Sequence, residues 1–198
     1  MENNFIYLDN ASTTPLSDNV LNIINSTYKN YWYNPSSTYE LGIKCSTYLE
    51  KNRSKIADIF DAELEDIIFT SGSSESTNIV FSNINETFKN GRVVISNVEH
   101  QATTICANKL RKKSWDICEW TVNNDGILNI SNIDKTLTKE TNLVSIIWGQ
   151  SEIGTIQPVQ FIGSKCEELN IMFHLDGTQI LSNGIFSWKD LKCDFLSL

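Results

Sequence analysis

The chain has 198 residues, 40% of them hydrophobic, which is enough for a sizeable core but short for a two-domain enzyme. A net charge of −8 argues against a nucleic-acid surface, which needs a basic patch. No apolar run reaches the about 18 residues of a transmembrane helix, and Met1-Glu2-Asn3-Asn4 lacks the basic and apolar regions of a signal peptide, so the expected location is cytoplasmic or an organellar matrix. The five cysteines (Cys45, Cys106, Cys118, Cys166, Cys193) are odd in number, widely spaced and without a Cys-x-x-Cys pair, which disfavours a disulfide framework and a zinc site; no metal site is expected.

In chain order, residues 16–31 and 40–60 read as helices, with Leu, Ile and Tyr recurring every three or four positions. Residues 67–78 (Ile-Ile-Phe-Thr-Ser-Gly-Ser-Ser-Glu-Ser-Thr-Asn) read as a short strand that turns through Gly72 into a helix continuing over 76–88. Free N–H groups, the helix dipole and the hydroxyls of Ser73 and Ser74 would converge there on one anion; an ordinary Ser N-cap with Glu75 in the first turn is the plainer reading.

A strand near Val93 then delivers His100 to the start of a helix over 99–113, whose basic end, Lys109-Leu110-Arg111-Lys112-Lys113, suits a helix C-terminus. A lone histidine is usually structural, but one at a strand's carboxyl end is well sited to stack on a flat ring or move protons. A strand near Ile117, a turn at Asn123-Asn124-Asp125-Gly126 and a helix over 131–137 follow. Next come a strand near Leu143 that ends in a polar turn (Gly-Gln-Ser-Glu-Ile-Gly, 149–154), and a helix over 159–169.

Residues 171–179 (Ile-Met-Phe-His-Leu-Asp-Gly-Thr-Gln) are the most informative stretch. An apolar run that ends on Asp176 reads as a buried strand, and open α/β sheets bind ligands at the carboxyl ends of their strands. A carboxylate there needs a positive partner, and a protonated heterocyclic nitrogen is one. On this segment alone a helix N-cap explains Asp176 equally well. A last apolar run, residues 193–198, reads as a buried strand. Alternating strands and helices imply an α/β fold with a mostly parallel sheet covered by helices on both faces, and nothing marks a domain boundary within the chain.

These segments, together with residues 7–15 (Tyr-Leu-Asp-Asn-Ala-Ser-Thr-Thr-Pro) and 34–42 (Asn-Pro-Ser-Ser-Thr-Tyr-Glu-Leu-Gly), occur in an order that resembles the cysteine desulfurases, class V enzymes of the type I aminotransferase fold that depend on pyridoxal phosphate. The resemblance spans essentially the whole chain. It implies an N-terminal arm of about 15 residues followed by part of the large cofactor-binding domain. Asp176 would pair with the pyridine nitrogen, Gln179 would bond the ring phenolate, His100 would stack on the ring and serve as the catalytic proton carrier, and Ser73 and Ser74 would contact the phosphate. Ser151 stands where the family usually has an asparagine that reaches toward cofactor and substrate, and it is shorter with one donor in place of two. Tyr39 replaces a usual histidine and Gly177 a usual alanine.

The family pattern would continue past Leu198 through Ser-Gly-His-Lys, whose lysine forms the Schiff base. The persulfide cysteine, the arginine for the substrate carboxylate and the small domain would also come later. None of the five cysteines is assigned the persulfide role. The resemblance therefore implies conversion of L-cysteine to L-alanine and an enzyme persulfide for iron–sulfur or thio-cofactor assembly, with residues 1–198 inactive by themselves. The implied partners are a second copy of the chain, a sulfur-acceptor or scaffold protein and a separate C-terminal half, with neither nucleic acid nor membrane among them. Another class V activity, such as a selenocysteine lyase or an epimerase-like enzyme, and a non-catalytic scaffold are the alternatives.

Overall fold

The computed structural model describes residues 6–198, which fall into two compact units, Met1–Ile67 and Ile68–Leu198. No Pro-rich or low-complexity stretch marks the division in the sequence. Residues 1–5 of the expected N-terminal arm lie outside the described residues, and 6–15 are exposed and without helix or strand.

The first unit is a helix pair, α1 (Asp18–Asn30) and α2 (Glu40–Phe60). Ser17 caps α1 by accepting the Val20 N–H at 3.4 Å, satisfying a donor that the helix end leaves open. The helices meet through aromatic contact: Tyr31 and Tyr48 stack with centroids 3.9 Å apart, and Thr27 shares a 3.2 Å hydrogen bond with the Tyr48 hydroxyl. Asp61 ends α2 in the left-handed region, and Arg53 reaches from α2 to the Ile67 carbonyl.

The strand expected near Ile67 does not form. Residues 64–66 are a 3₁₀ turn, and 67–70 run outside the sheet with Ile68 71% exposed. An apolar triplet becomes a strand only where a neighbour offers ladder partners.

In the second unit, β1 (Arg92–Ser96), β2 (Asp116–Trp120), β3 (Thr141–Ile147), β4 (Met172–Asp176) and β5 (Phe195–Ser197) form one sheet of order β2-β1-β3-β4-β5, every pair parallel. Its other helices are α3 (Ser73–Phe88), α4 (Gln101–Arg111), α5 (Ile133–Thr136) and α6 (Val159–Leu169).

The period-2 alternation of the strands divides their side chains between two cores. Val93, Ile95 and Leu143 pack with Val80, Phe81 and Ile84 of α3 and with Cys106, Ala107 and Leu110 of α4. Val94, Val144, Ile146, Phe173 and Leu175 pack with Val159, Ile162 and Cys166 of α6. Helices therefore cover both faces, and this is why the central strands carry nearly continuous apolar runs.

Edge strand β2 is protected by charge instead. Asp116 pairs with Arg92 at 3.6 Å and Glu119 with Arg111 at 3.0 Å. The helix expected over 131–137 is only a 3₁₀ turn followed by the four-residue α5, held by Ile130, Ile133 and Leu137 on the core and by the Lys165–Asp134 ion pair at 2.9 Å. Short β5 is held in register by a reciprocal pair: Phe173 N–H donates to the Asp194 carboxylate at 2.7 Å and Asp194 N–H donates to the Phe173 carbonyl at 2.8 Å.

Gly163 is where α6 comes closest to the chain ahead of β5. A Cβ there would stand 2.5 Å from the Leu191 carbonyl oxygen, a backbone atom that cannot yield locally. Gly163→Ala should therefore destabilise the protein by about 1–3 kcal/mol even though alanine is the better helix former. The check is the urea midpoint, which should fall with the m-value unchanged.

Candidate functional site

An all-parallel sheet brings the carboxyl ends of its strands to one edge, and the segments leaving that edge carry most of the sequence-predicted residues. Asp176 is the last residue of β4, in register with Ile147 of β3 and Ser197 of β5, and it is 4% exposed. Its Oδ1 accepts from the Thr178 hydroxyl at 2.6 Å and the Thr178 N–H at 3.1 Å. Asp176 is thus a strand-end residue and not a helix N-cap, since Gln179 is the N-cap of the next 3₁₀ turn, and Thr178 orients its carboxylate. Gln179 follows in the same turn, half-buried.

Ser73 and Ser74 open α3, as the sequence suggests. Gly72 is the N-cap at φ 148, a conformation open to glycine, and space around its α-carbon is free. No side chain caps this end. The first backbone bonds inside the helix are those of the Glu75 and Ser76 N–H groups to the Gly72 carbonyl, which leaves the N–H groups of Ser73 and Ser74 directed at the space before the helix. Glu75 turns back to accept the Ser71 N–H, and that bond holds its carboxyl below the usual range.

His100 sits at the start of α4 as its N-cap, exposed, with Nδ1 accepting the Ala102 N–H at 3.2 Å. The helix begins after His100 and not at Glu99. Ser151 lies half-buried in the turn after β3, which the Gln150 side chain organises by accepting the Glu152 and Ile153 N–H groups at 2.7 and 2.8 Å. Among the described residues no three His, Cys, Asp or Glu side chains converge as a metal ion would need, and no helix is long and apolar enough to cross a membrane.

Two residues that sequence reasoning passed over belong to this edge. Glu99 accepts the Ser96 hydroxyl and, at 2.8 Å, the Ile147 N–H with Oε1, while its buried Oε2 has no hydrogen-bond partner among the described residues. Burial pushes its carboxyl up to about 8, and the charge of Asp176 adds to the rise. His174 is fully buried in β4, where burial pulls its imidazole down to about 4. The signals were present as an acid beside His100 and a histidine inside an apolar run, yet both residues are defined by partners on other strands.

Residues 6–198 match the sequence profile described as Aminotransferase class-V. The chain belongs to the aminotransferase class-V family. Among its relatives in the family, it is 33% identical over 196 residues to a mitochondrial cysteine desulfurase of Candida maltosa, covering 98% of this chain and 40% of that protein. With the cysteine desulfurase IscS of Dictyoglomus turgidum it shares 34% identity over 195 residues, covering 98% and 50%.

Solved structures agree. A NifS-like protein superposes with a TM-score of 0.92 at 29% identity, covering 97% of this chain and 54% of that one. SspA in complex with cysteine gives 0.91 at 27%, covering 96% and 56%. The chain spans about half the length of the curated relatives it matches.

Glu99 makes stability depend on pH in a direction that can be checked. Its folded-state carboxyl is raised, so its contribution is fully present below the unfolded value of 4.5 and is lost as the pH rises through about 8. His174 acts oppositely: its contribution is present above the unfolded value of 6.5 and is lost as the pH falls through about 4. Glu99→Gln should flatten the decline between pH 4.5 and 8 and leave the acid-side loss intact. Urea melts across this range read the difference, and an unaltered alkaline decline would refute the assignment.

Proposed function

We propose that this chain is the pyridoxal phosphate-cradling part of a cysteine desulfurase, acting on L-cysteine to give L-alanine and a persulfide. The observation that carries the reading is the pairing of a buried carboxylate at the end of β4, Asp176, with an uncapped helix N-terminus at Ser73 and Ser74, all on the sheet's carboxyl edge. A phosphorylated, cationic heterocycle suits this donor set: α3 offers N–H groups, hydroxyls and a positive dipole end to the phosphate, and Asp176 offers a negative charge to a ring N–H. When bound, the cofactor withdraws electrons from the substrate's α-carbon.

The chain's own residues orient and protonate. Asp176, steered by Thr178, would hold a protonated ring nitrogen, and Gln179 in the same turn would bond the ring phenolate. His100 would lie against the ring and serve proton transfers. Because Nδ1 accepts the Ala102 N–H, the proton of the neutral imidazole resides on Nε2, and His100 presents a donor there. Ser151 offers one hydroxyl toward cofactor and substrate. A second copy of the chain and a sulfur-accepting protein are the partners this reading calls for, in cytoplasm or an organellar matrix. The mitochondrial relative is consistent with the latter.

Titration with pyridoxal phosphate followed by absorbance tests the reading. Binding should be reversible and held by these contacts alone, so borohydride should fix no stoichiometric adduct on a single lysine. Asp176→Asn should weaken binding about tenfold or more, the scale of a charge-assisted hydrogen bond in a buried site. Absence of binding by the wild-type chain would sink the proposal.

Sulfide release from L-cysteine gives a second measure. Residues 1–198 should release it no faster than free pyridoxal phosphate does. Faster turnover that Asp176→Ala abolishes would instead place the whole activity within these residues.

A further inference from the structure

A line of hydrogen bonds crosses the sheet beneath the proposed site. Ser145 Oγ of β3 lies 2.8 Å from His174 Nδ1 of β4, His174 Nε2 lies 2.9 Å from Ser197 Oγ of β5, and Ser197 Oγ lies 2.7 Å from Ser76 Oγ of α3. Ser145, His174 and Ser197 are at most 1% exposed. They share the face that α3 and α4 cover, because Ser145 and His174 are paired in register and Ser197 stands opposite Asp176, two residues beyond His174 on the same face of β4.

The line runs in one direction. A neutral imidazole has one donor and one acceptor, and both are used here. Either Ser145 donates to Nδ1 and Nε2–H passes the sense to Ser197 and Ser76, or every donor is reversed. A cation at His174 would present two donors and break the sense at one end, and burial already holds the ring neutral.

One end of this line is the first turn of α3, immediately after Ser73 and Ser74. The other end is Ser145 of β3, and between them the line passes through His174, two residues before Asp176 on β4. Val80, Phe81 and Ile84 of α3 pack in an apolar core with Val93, Ile95 and Leu143, and apolar contacts are non-directional. The Ser76–Ser197 hydrogen bond adds a directional tie between the first turn of α3 and the end of β5.

We propose that His174 is a positioning residue which, through Ser197 and Ser76, sets the separation between the anion-binding end of α3 and the Asp176 carboxylate. The site then selects a ligand that carries a phosphate and a protonated ring nitrogen at one fixed span. This rests on the cofactor reading above.

Inorganic phosphate senses only the α3 end, whereas pyridoxal phosphate senses the distance. Both affinities are measured by calorimetry for the wild type, Ser76→Ala and His174→Phe, with a thermal melt for each. Ser76→Ala, the milder change, should melt cooperatively, bind phosphate as the wild type does and lose about fivefold in affinity for pyridoxal phosphate, the worth of one ordinary hydrogen bond. His174→Phe, where it folds, should lose more.

In an Asp176→Asn background the Ser76→Ala loss should largely vanish, because the second anchor whose distance it sets is gone. Parallel weakening of phosphate and pyridoxal phosphate by Ser76→Ala, an undiminished loss beside Asp176→Asn, or no loss at all would each overturn the positioning role. Failure of the wild type to bind pyridoxal phosphate would sink the cofactor reading, and this inference with it.

Discussion

The parallel hydrogen-bond ladder is the constraint on which the rest depends. Because every strand in β2-β1-β3-β4-β5 runs the same way, each must be re-entered by a crossover, and each crossover leaves the sheet at the same edge. Residues far apart in sequence, such as Ser96, Ile147, Asp176 and Ser197, therefore become neighbours at one rim. Helix N-termini follow that rim, so polar side chains and unsatisfied N–H groups accumulate where the apolar cores end. Neither core has to be opened to build a site there.

Burial makes the same rim electrostatically economical. Glu99 is driven toward its protonated form and His174 toward its neutral form, so the edge holds fewer charges than its composition suggests. Each carries its remaining polarity into hydrogen bonds between elements: Glu99 ties the segment after β1 to β3 across 48 positions, and His174 ties β4 to β5 across 23. The Asp176 carboxylate favours a cation at His174, but burial outweighs it and keeps the ring neutral. Asp176 is differently placed, at the strand's last residue, where Thr178 holds one of its carboxylate oxygens.

Membership of the aminotransferase class-V family and the likeness to NifS-like structures fit this arrangement. Ser151 falls in a turn that the Gln150 side chain organises by accepting the Glu152 and Ile153 N–H groups.

The sequence by itself determined the helix and strand order, the parallel α/β class and the positions of Ser73, Ser74, His100, Asp176 and Gln179 at element ends, because apolar period and the residue types that cap or punctuate elements are local properties. It misread residues 67–70 as a strand and drew the helix over 131–137 too long, since a strand exists only by its neighbour and a short helix only by its anchors. Tertiary structure alone decided the division at Ile67, the arrangement of the strands side by side in the sheet, and the roles of Glu99 and His174, whose chemistry comes from the partners and the burial that folding brings to them.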